Sequence, residues 1–445
     1  MLKQFIIIFT VYVFSSSEAK QWIEVNSSDI KKSSFTHQSN GLSLTEISFE
    51  LSGYFLETSK NGVMITAPGG VSMLEEGAPD LPVFTTSIQI PDLAKMQLEV
   101  ISSEYIDVKV ESVIPSRGNI TRDINISLVP FKKGLTYDQN SFFPDNIAFL
   151  RSPYIIRTKR GQTVVFQPFQ YNPIDGILRV HTNITISVKA DGISTDNPLV
   201  RLPSKNRGMR EMEEIYSRHF LNNVPTNDRY TPLDENGAML IICYGPFIDA
   251  MQPFIDWKIK KGMHVELYNV DDIGDAADIK TFVEDYYYAN GINFLLLVGD
   301  IAQVPSPRFS EGAGSNSPSD TYYGFIPSQD YYPDVFVGRF SAETVSHVNT
   351  MVNRTISYER YPDIDDGSWY IEGAGFASNE GPGDDGEYDN EHMDIIRQKL
   401  LDYNYGDIEQ VYDPSGTIAE GEVAINDGLS IINYTGHGSN GSWGN

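Results

Sequence analysis

The chain has 445 residues, with 33 Lys plus Arg against 60 Asp plus Glu, a formal net charge of -27 and 40% hydrophobic content. That length accommodates two or three domains with real cores. The acidic excess disfavours nucleic acid and anionic membrane surfaces as partners, while it suits cationic substrates or bound Ca²⁺; solubility outside the cell accounts for most of it without any site. The one cysteine, Cys243, excludes an intrachain disulfide framework and a cysteine-rich zinc site.

Residues 1–19 combine Lys3, an apolar run and the small-residue ending Ser17-Glu18-Ala19, the pattern of a secretory signal peptide. The run is too short to span a bilayer comfortably and no later segment reaches spanning length, so the expected product is exported. Residues 45–200 read as strand after strand, including 47–51, 63–66, 83–90, 98–101, 108–110, 164–166 and 184–188, separated by Gly, Pro, Asn and Asp clusters. This pattern predicts an all-β sandwich. A helix comes next within 210–220, where Met212, Ile215 or Tyr216, and Phe220 recur at helical spacing ahead of a polar linker.

Beyond Tyr230 strands and helices alternate. Strands are predicted at 239–243, 265–268, 294–298, 335–338, 375–378 and 429–432, and helices at 247–261, 276–289, 344–358 and 387–401. Alternation of this kind predicts an α/β domain, a mainly parallel sheet with helices on both faces. Cys243 ends an apolar strand-like run and reads as a buried small hydrophobe rather than a nucleophile.

Four groups of residues carry possible chemistry. His437 comes after the apolar strand 429–432 and lies in a turn built from Gly436, Gly438, Gly441 and Gly444. The carboxyl end of a strand in an open α/β sheet is where catalytic groups collect, and the Gly438 N–H can point at a developing oxyanion. Glu380, after the run 374–377 and before Gly381-Pro382-Gly383, is placed to accept a hydrogen bond from a histidine ring. Asp389 lies in the first turn of the next helix, where the helix dipole alone favours an acid. Asp330, Tyr332 and Asp334 alternate in one loop, with Asp300 after another strand, an arrangement suited to a hard cation and equally to plain solvation.

The segment Asn433-Tyr434-Thr435-Gly436-His437-Gly438-Ser439, with Trp443-Gly444 shortly after it, resembles the catalytic-histidine segment of the gingipains, secreted cysteine endopeptidases of the caspase-like clan. The resemblance implies that His437 is the general base, that Gly438 supplies an oxyanion-hole amide, that Glu380 supports the histidine and that Trp443 contacts substrate. By the same resemblance Asp389 floors an S1 pocket for arginine or lysine, and a structural calcium is held by Asp300, Asp330 and Asp334 with carbonyls of Pro327 and Tyr332. Gly77-Ala78-Pro79-Asp80-Leu81-Pro82 and Ile90-Pro91 resemble the gingipain propeptide domain. Asn227-Asp228-Arg229-Tyr230-Thr231-Pro232 resembles the processing junction of the arginine-specific members, with cleavage between Arg229 and Tyr230.

The expected organisation is therefore a signal peptide over 1–19, a β-sandwich propeptide with a terminal helix and linker over 20–229, and an incomplete α/β peptidase domain over 230–445. The family's nucleophilic cysteine is expected beyond Asn445. Protein or peptide substrates are the implied partners, and the propeptide is the implied inhibitor, with Arg117 or Arg122 entering the acidic pocket. Two alternatives share the same residues: a gingipain-like sortase of a type IX secretion system, and a non-catalytic extracellular binding protein on the same folds.

Overall fold

The computed structural model describes residues 20–121, 124–200, 210–223, 237–308, 317–326, 331–362, 364–365, 367–382 and 386–438. The expected signal peptide, Arg122, the Arg229–Tyr230 junction, Pro327, Asp330 and Trp443 lie outside them.

The strands of the amino-terminal region pair antiparallel with one another. One five-stranded sheet runs Tyr154–Ile156, Lys159–Phe166, Pro82–Ile90, Val71–Ser72, with Ala148–Leu150 also on Lys159–Phe166. A second runs Phe169–Asn172, Ile177–Ile193, Leu44–Glu50, Ser34–Asn40, with Ala94–Lys109 also on Ile177–Ile193. A three-stranded sheet of Gln21–Glu24, Gly53–Ser59 and Gly62–Thr66 completes the region. The two larger sheets face each other because period-two alternation turns one set of apolar side chains inward. In Leu44–Glu50 the buried positions are Thr45, Ile47 and Phe49. Phe49 meets Phe84 and Phe166 of the opposite sheet at ring distances of 4.9 and 5.5 Å.

Two strands of this sandwich read as fragments in the sequence. Ala94–Lys109 and Ile177–Ile193 pair along almost their whole length, with register shifts at His181/Asn183, Thr185/Ile186 and Ala190/Ile193. Each bulge resets the alternation, so a strict period-two reading finds only the stretches between them.

The carboxyl-terminal region is α/β, but its parallel strands form two sheets rather than one. A four-stranded sheet runs His264–Asn269, Ala238–Cys243, Phe294–Val298, Phe336–Phe340, and a three-stranded one runs Asp407–Tyr412, Glu372–Ala377, Ile431–Thr435. Ala238–Cys243 is buried at every position, as a central parallel strand requires. Leu240 and Ile242 face the helix Ala276–Asn290 through Ile279, Val283 and Tyr287. Met239, Ile241 and Cys243 face Met251 and Phe254 of Ile248–Lys260 and Val348 and Val352 of Val345–Arg360. Helices therefore cover both faces of this sheet.

The helix Arg210–His219 joins the two regions. Met212, Tyr216 and Phe220 pack with Tyr154 and Ile156 of the sandwich, and Phe294 of the parallel sheet packs on the same cluster. Beside it Tyr154 stacks on Tyr332 with rings 4.6 Å apart, and the buried Arg157 guanidinium donates to the Ile292 carbonyl at 3.1 Å.

His181 gives the sandwich a pH dependence. It is buried between Ser103 Oγ, 2.5 Å from Nδ1, and Gln170 Oε1, 2.9 Å from Nε2. Burial, reinforced by Arg179 and partly offset by Asp107, lowers its pKa from 6.5 to about 4. The folded state therefore prefers the neutral ring: the full contribution is present above pH 6.5 and is lost as the pH falls towards 4. The loss amounts to about 3 kcal/mol. Urea titrations at pH 7 and pH 4.5 should show His181→Gln losing less stability than the parent on acidification; parallel losses would refute this account.

Candidate active site

Two neighbouring parallel strands deliver the site. The pairing of Glu372–Ala377 with Ile431–Thr435 sets Ala377 opposite Thr435, and Ser378 N–H extends the ladder to the Thr435 carbonyl at 3.0 Å. Parallel strands end on the same side, so the loops that leave them emerge along one edge. Glu380 lies three residues past the first strand and His437 two past the second. Their side chains meet with Glu380 Oε2 3.1 Å from His437 Nε2.

The pair is open to solvent, with side-chain exposures of 66% for His437 and 41% for Glu380. A carboxylate on Nε2 favours the tautomer with its proton there, which makes Nδ1 the basic nitrogen. The Tyr434 hydroxyl donates to the His437 carbonyl and holds the turn. A Cβ on Gly436 would come within 3.0 Å of that hydroxyl, so glycine is the residue that leaves the bond intact. Gly438 comes directly after, exposed at the boundary of the described residues.

Asp389 is the opposite of Glu380 in its surroundings. It is 2% exposed, at the first position of the helix Asp389–Asp402. Ser378 Oγ donates to its Oδ2 at 2.6 Å, and its own N–H donates to the Glu380 carbonyl at 2.9 Å. Glu380 N–H in turn donates to Ser378 Oγ at 3.2 Å. The helix lies close on the central strand because Gly375 has no side chain: a Cβ there would stand 2.6 Å from Met393 Cγ. A buried carboxylate needs charge-assisted donors or an incoming cation, and a helix amino terminus supplies a favourable dipole for it. Sequence reasoning missed Ser378 and Tyr434; neither sits in a pattern that distinguishes it from any strand-end hydroxyl.

The expected calcium ligands do not all come together. Asp300 N–H bonds to the Ala342 carbonyl, and its carboxylate accepts from Ser341 at the carboxyl edge of the four-stranded sheet. Asp334 precedes Phe336–Phe340, is 3% exposed, and accepts from the Ile326 N–H at 3.0 Å at the amino edge. A five-residue strand, roughly 13 Å long, separates the two edges, while calcium holds its oxygens within about 2.6 Å. Asp300 therefore cannot ligate the same ion as Asp334. Tyr332 stacks on Tyr154. Among the described residues no group of three or more His, Cys, Asp and Glu side chains is arranged to hold a metal.

Arg117 is also turned away from the expected role. Its Nη1 donates to the Ile126 carbonyl at 2.9 Å and its guanidinium lies 4.4 Å from the Phe131 ring, contacts within the sandwich region. Burial lowers its pKa, with Asp80 opposing.

Cys243 is fully buried, its thiol 3.4 Å from the Tyr244 carbonyl, and burial pushes its pKa up to about 12. Such a thiol is inert. The native chain should resist iodoacetamide at pH 8, with labelling that tracks global unfolding in urea; rapid labelling of the folded chain would overturn this assignment.

Residues 232–445 match Peptidase family C25, and residues 35–219 match Propeptide_C25. The chain is 36% identical over 420 residues to Gingipain R1 of Porphyromonas gingivalis, covering 92% of this chain and 41% of that protein. It is 36% identical over 399 residues to Gingipain R2 of the same organism, covering 87% and 53%. Lys-gingipain HG66, also of Porphyromonas gingivalis, is 23% identical over 397 residues, covering 85% of this chain and 22% of that protein. The chain thus spans only part of the length of the relatives it matches. A crystal structure of the Arg specific cysteine proteinase gingipain R aligns with a TM-score of 0.44 at 36% identity, covering 48% of this chain and 50% of that one. The chain belongs to the gingipain family, peptidase family C25, and carries the family's propeptide segment ahead of its peptidase segment.

Proposed function

We propose that this chain is the zymogen portion of an exported cysteine endopeptidase that cleaves peptide bonds after arginine. The observation that carries the reading is the convergence at one sheet edge of an open His437–Glu380 pair and a buried carboxylate, Asp389. His437 Nδ1 serves as general base toward a thiol, and the Gly438 amide receives the negative charge that develops on the scissile carbonyl oxygen. Cys243, buried and with its pKa pushed up, is unsuited to be that thiol. Arginine is favoured over lysine because a buried carboxylate pairs with a guanidinium through two parallel bonds. The higher identity to Gingipain R1 than to Lys-gingipain supports the same choice.

The propeptide, residues 20–229, acts as inhibitor until cleavage between Arg229 and Tyr230. With Arg117 held inside the sandwich, Arg122 is the remaining candidate to enter the acidic pocket.

In the full-length protein after cleavage at Arg229, Asp389→Asn should lower kcat/KM for arginyl substrates about a hundredfold or more, because the amide removes the negative charge and turns one of the two acceptors into a donor. Residues 1–445 alone should show no amidase activity. Unchanged kcat/KM in the variant, or activity of the 445-residue chain that survives Cys243→Ala, would overturn the reading.

The proposed calcium site is the loop from Pro327 to Asp334, without Asp300. An ion bound only by the folded loop stabilises the folded state. Chelation should then lower the melting temperature of the peptidase region more than that of the sandwich, and Asp300→Ala should leave that difference intact. Equal melts with and without chelator would exclude the site.

A further inference from the structure

We infer that Ser378 is a positioning residue that ties recognition at Asp389 to the placement of Glu380 and, through it, of His437. The inference rests on the reading that Asp389 receives the substrate's guanidinium. A serine hydroxyl has one proton to donate and lone pairs to accept with. At Ser378 the proton goes to Asp389 Oδ2 at 2.6 Å, and a lone pair accepts the Glu380 N–H at 3.2 Å. The Glu380 carbonyl accepts the Asp389 N–H at 2.9 Å, and Ser378 N–H is fixed on the Thr435 carbonyl at 3.0 Å.

Both backbone polar groups of Glu380 therefore end on Ser378 or Asp389, closing the neck of the loop between the strand and its helix. Ser378 is 8% exposed and Asp389 2%, so water has little room to replace the hydroxyl. A cation that displaces the Asp389 carboxylate moves the Ser378 hydroxyl, and with it the backbone that carries Glu380 to His437. The hydroxyl also fixes the plane of the carboxylate. A fixed plane matches the planar fork of a guanidinium, whereas an ammonium is a point charge indifferent to that plane. Ser378 thus contributes to arginine-over-lysine preference without touching substrate.

The test has two arms. In the full-length protein after cleavage at Arg229, Ser378→Ala should reduce the ratio of kcat/KM for arginyl over lysyl substrates about tenfold, and Ser378→Thr, which keeps the hydroxyl, should restore it. Equal loss for both substrates with a lowered melting temperature would make Ser378 merely structural and overturn the inference. The second arm uses residues 1–445 and needs no activity. Amide exchange should quicken at Glu380 and Asp389 in Ser378→Ala while the strand Glu372–Ala377 stays protected. Unchanged exchange at both amides would overturn the inference. If the parent cleaves equally after arginine and lysine, the guanidinium reading itself fails, and the exchange arm still decides whether Ser378 closes the neck.

Discussion

The structure of the site depends on one pairing, the parallel register that sets Ala377 opposite Thr435. Neither Glu380 nor His437 is held by a dense shell of side chains; both are loop residues, largely open to water. Their meeting results from two strands of equal alignment that stop together and from the ladder continuing one step further through Ser378. A slip of one residue would turn every side chain of the Ile431–Thr435 strand to the other face, as well as displacing His437 along the edge. The glycine-rich central strand protects this register by letting neighbours approach closely: Gly373 lies against Ile431, and Gly375 against Met393. Backbone pairing does here what side-chain packing does in the sandwich.

The contrast between the two carboxylates comes from the same arrangement. Glu380 hangs off the strand end into solvent, where it meets the His437 ring without a large desolvation penalty. Asp389 begins a helix pressed onto the sheet, where the dipole and the Ser378 hydroxyl stabilise its charge. One loop leaving one strand is enough to reach both environments.

Much of this was legible in the sequence because apolar runs of strand length and helical stripes are direct consequences of burial. Phe294–Val298 was readable to the residue, and His437, Glu380 and Asp389 were each found at an element end. The strand Asp407–Tyr412 was missed because it is an edge strand with only Ile408 buried. The helix Ile418–Asp427 was missed because it seats itself through Gly421 and Ala424 while Ile418, Val423 and Ile425 stay exposed, which inverts the usual stripe. Grouping Asp300 with Asp334 failed for another reason: Asp300 follows its strand and Asp334 precedes its own, and in a parallel pair those positions lie at opposite edges. The Ser378 hydroxyl left no trace in pattern or spacing, because its role exists only once the loop has closed.

The seat between the sandwich and the parallel sheet behaves differently from a core when it opens. One polar contact there joins a guanidinium to a main-chain carbonyl, Arg157 to Ile292, and both groups are readily rehydrated. Its apolar part is aromatic, with Tyr154 against Tyr332 and Phe294 against the helix cluster. While the chain is continuous, the linker keeps the two faces at a high local concentration, so each opening is followed by rapid reclosure. Were the chain cut between the two faces, reclosure would become a bimolecular event, and dilution alone would shift the equilibrium towards separated domains without any change in the contacts themselves.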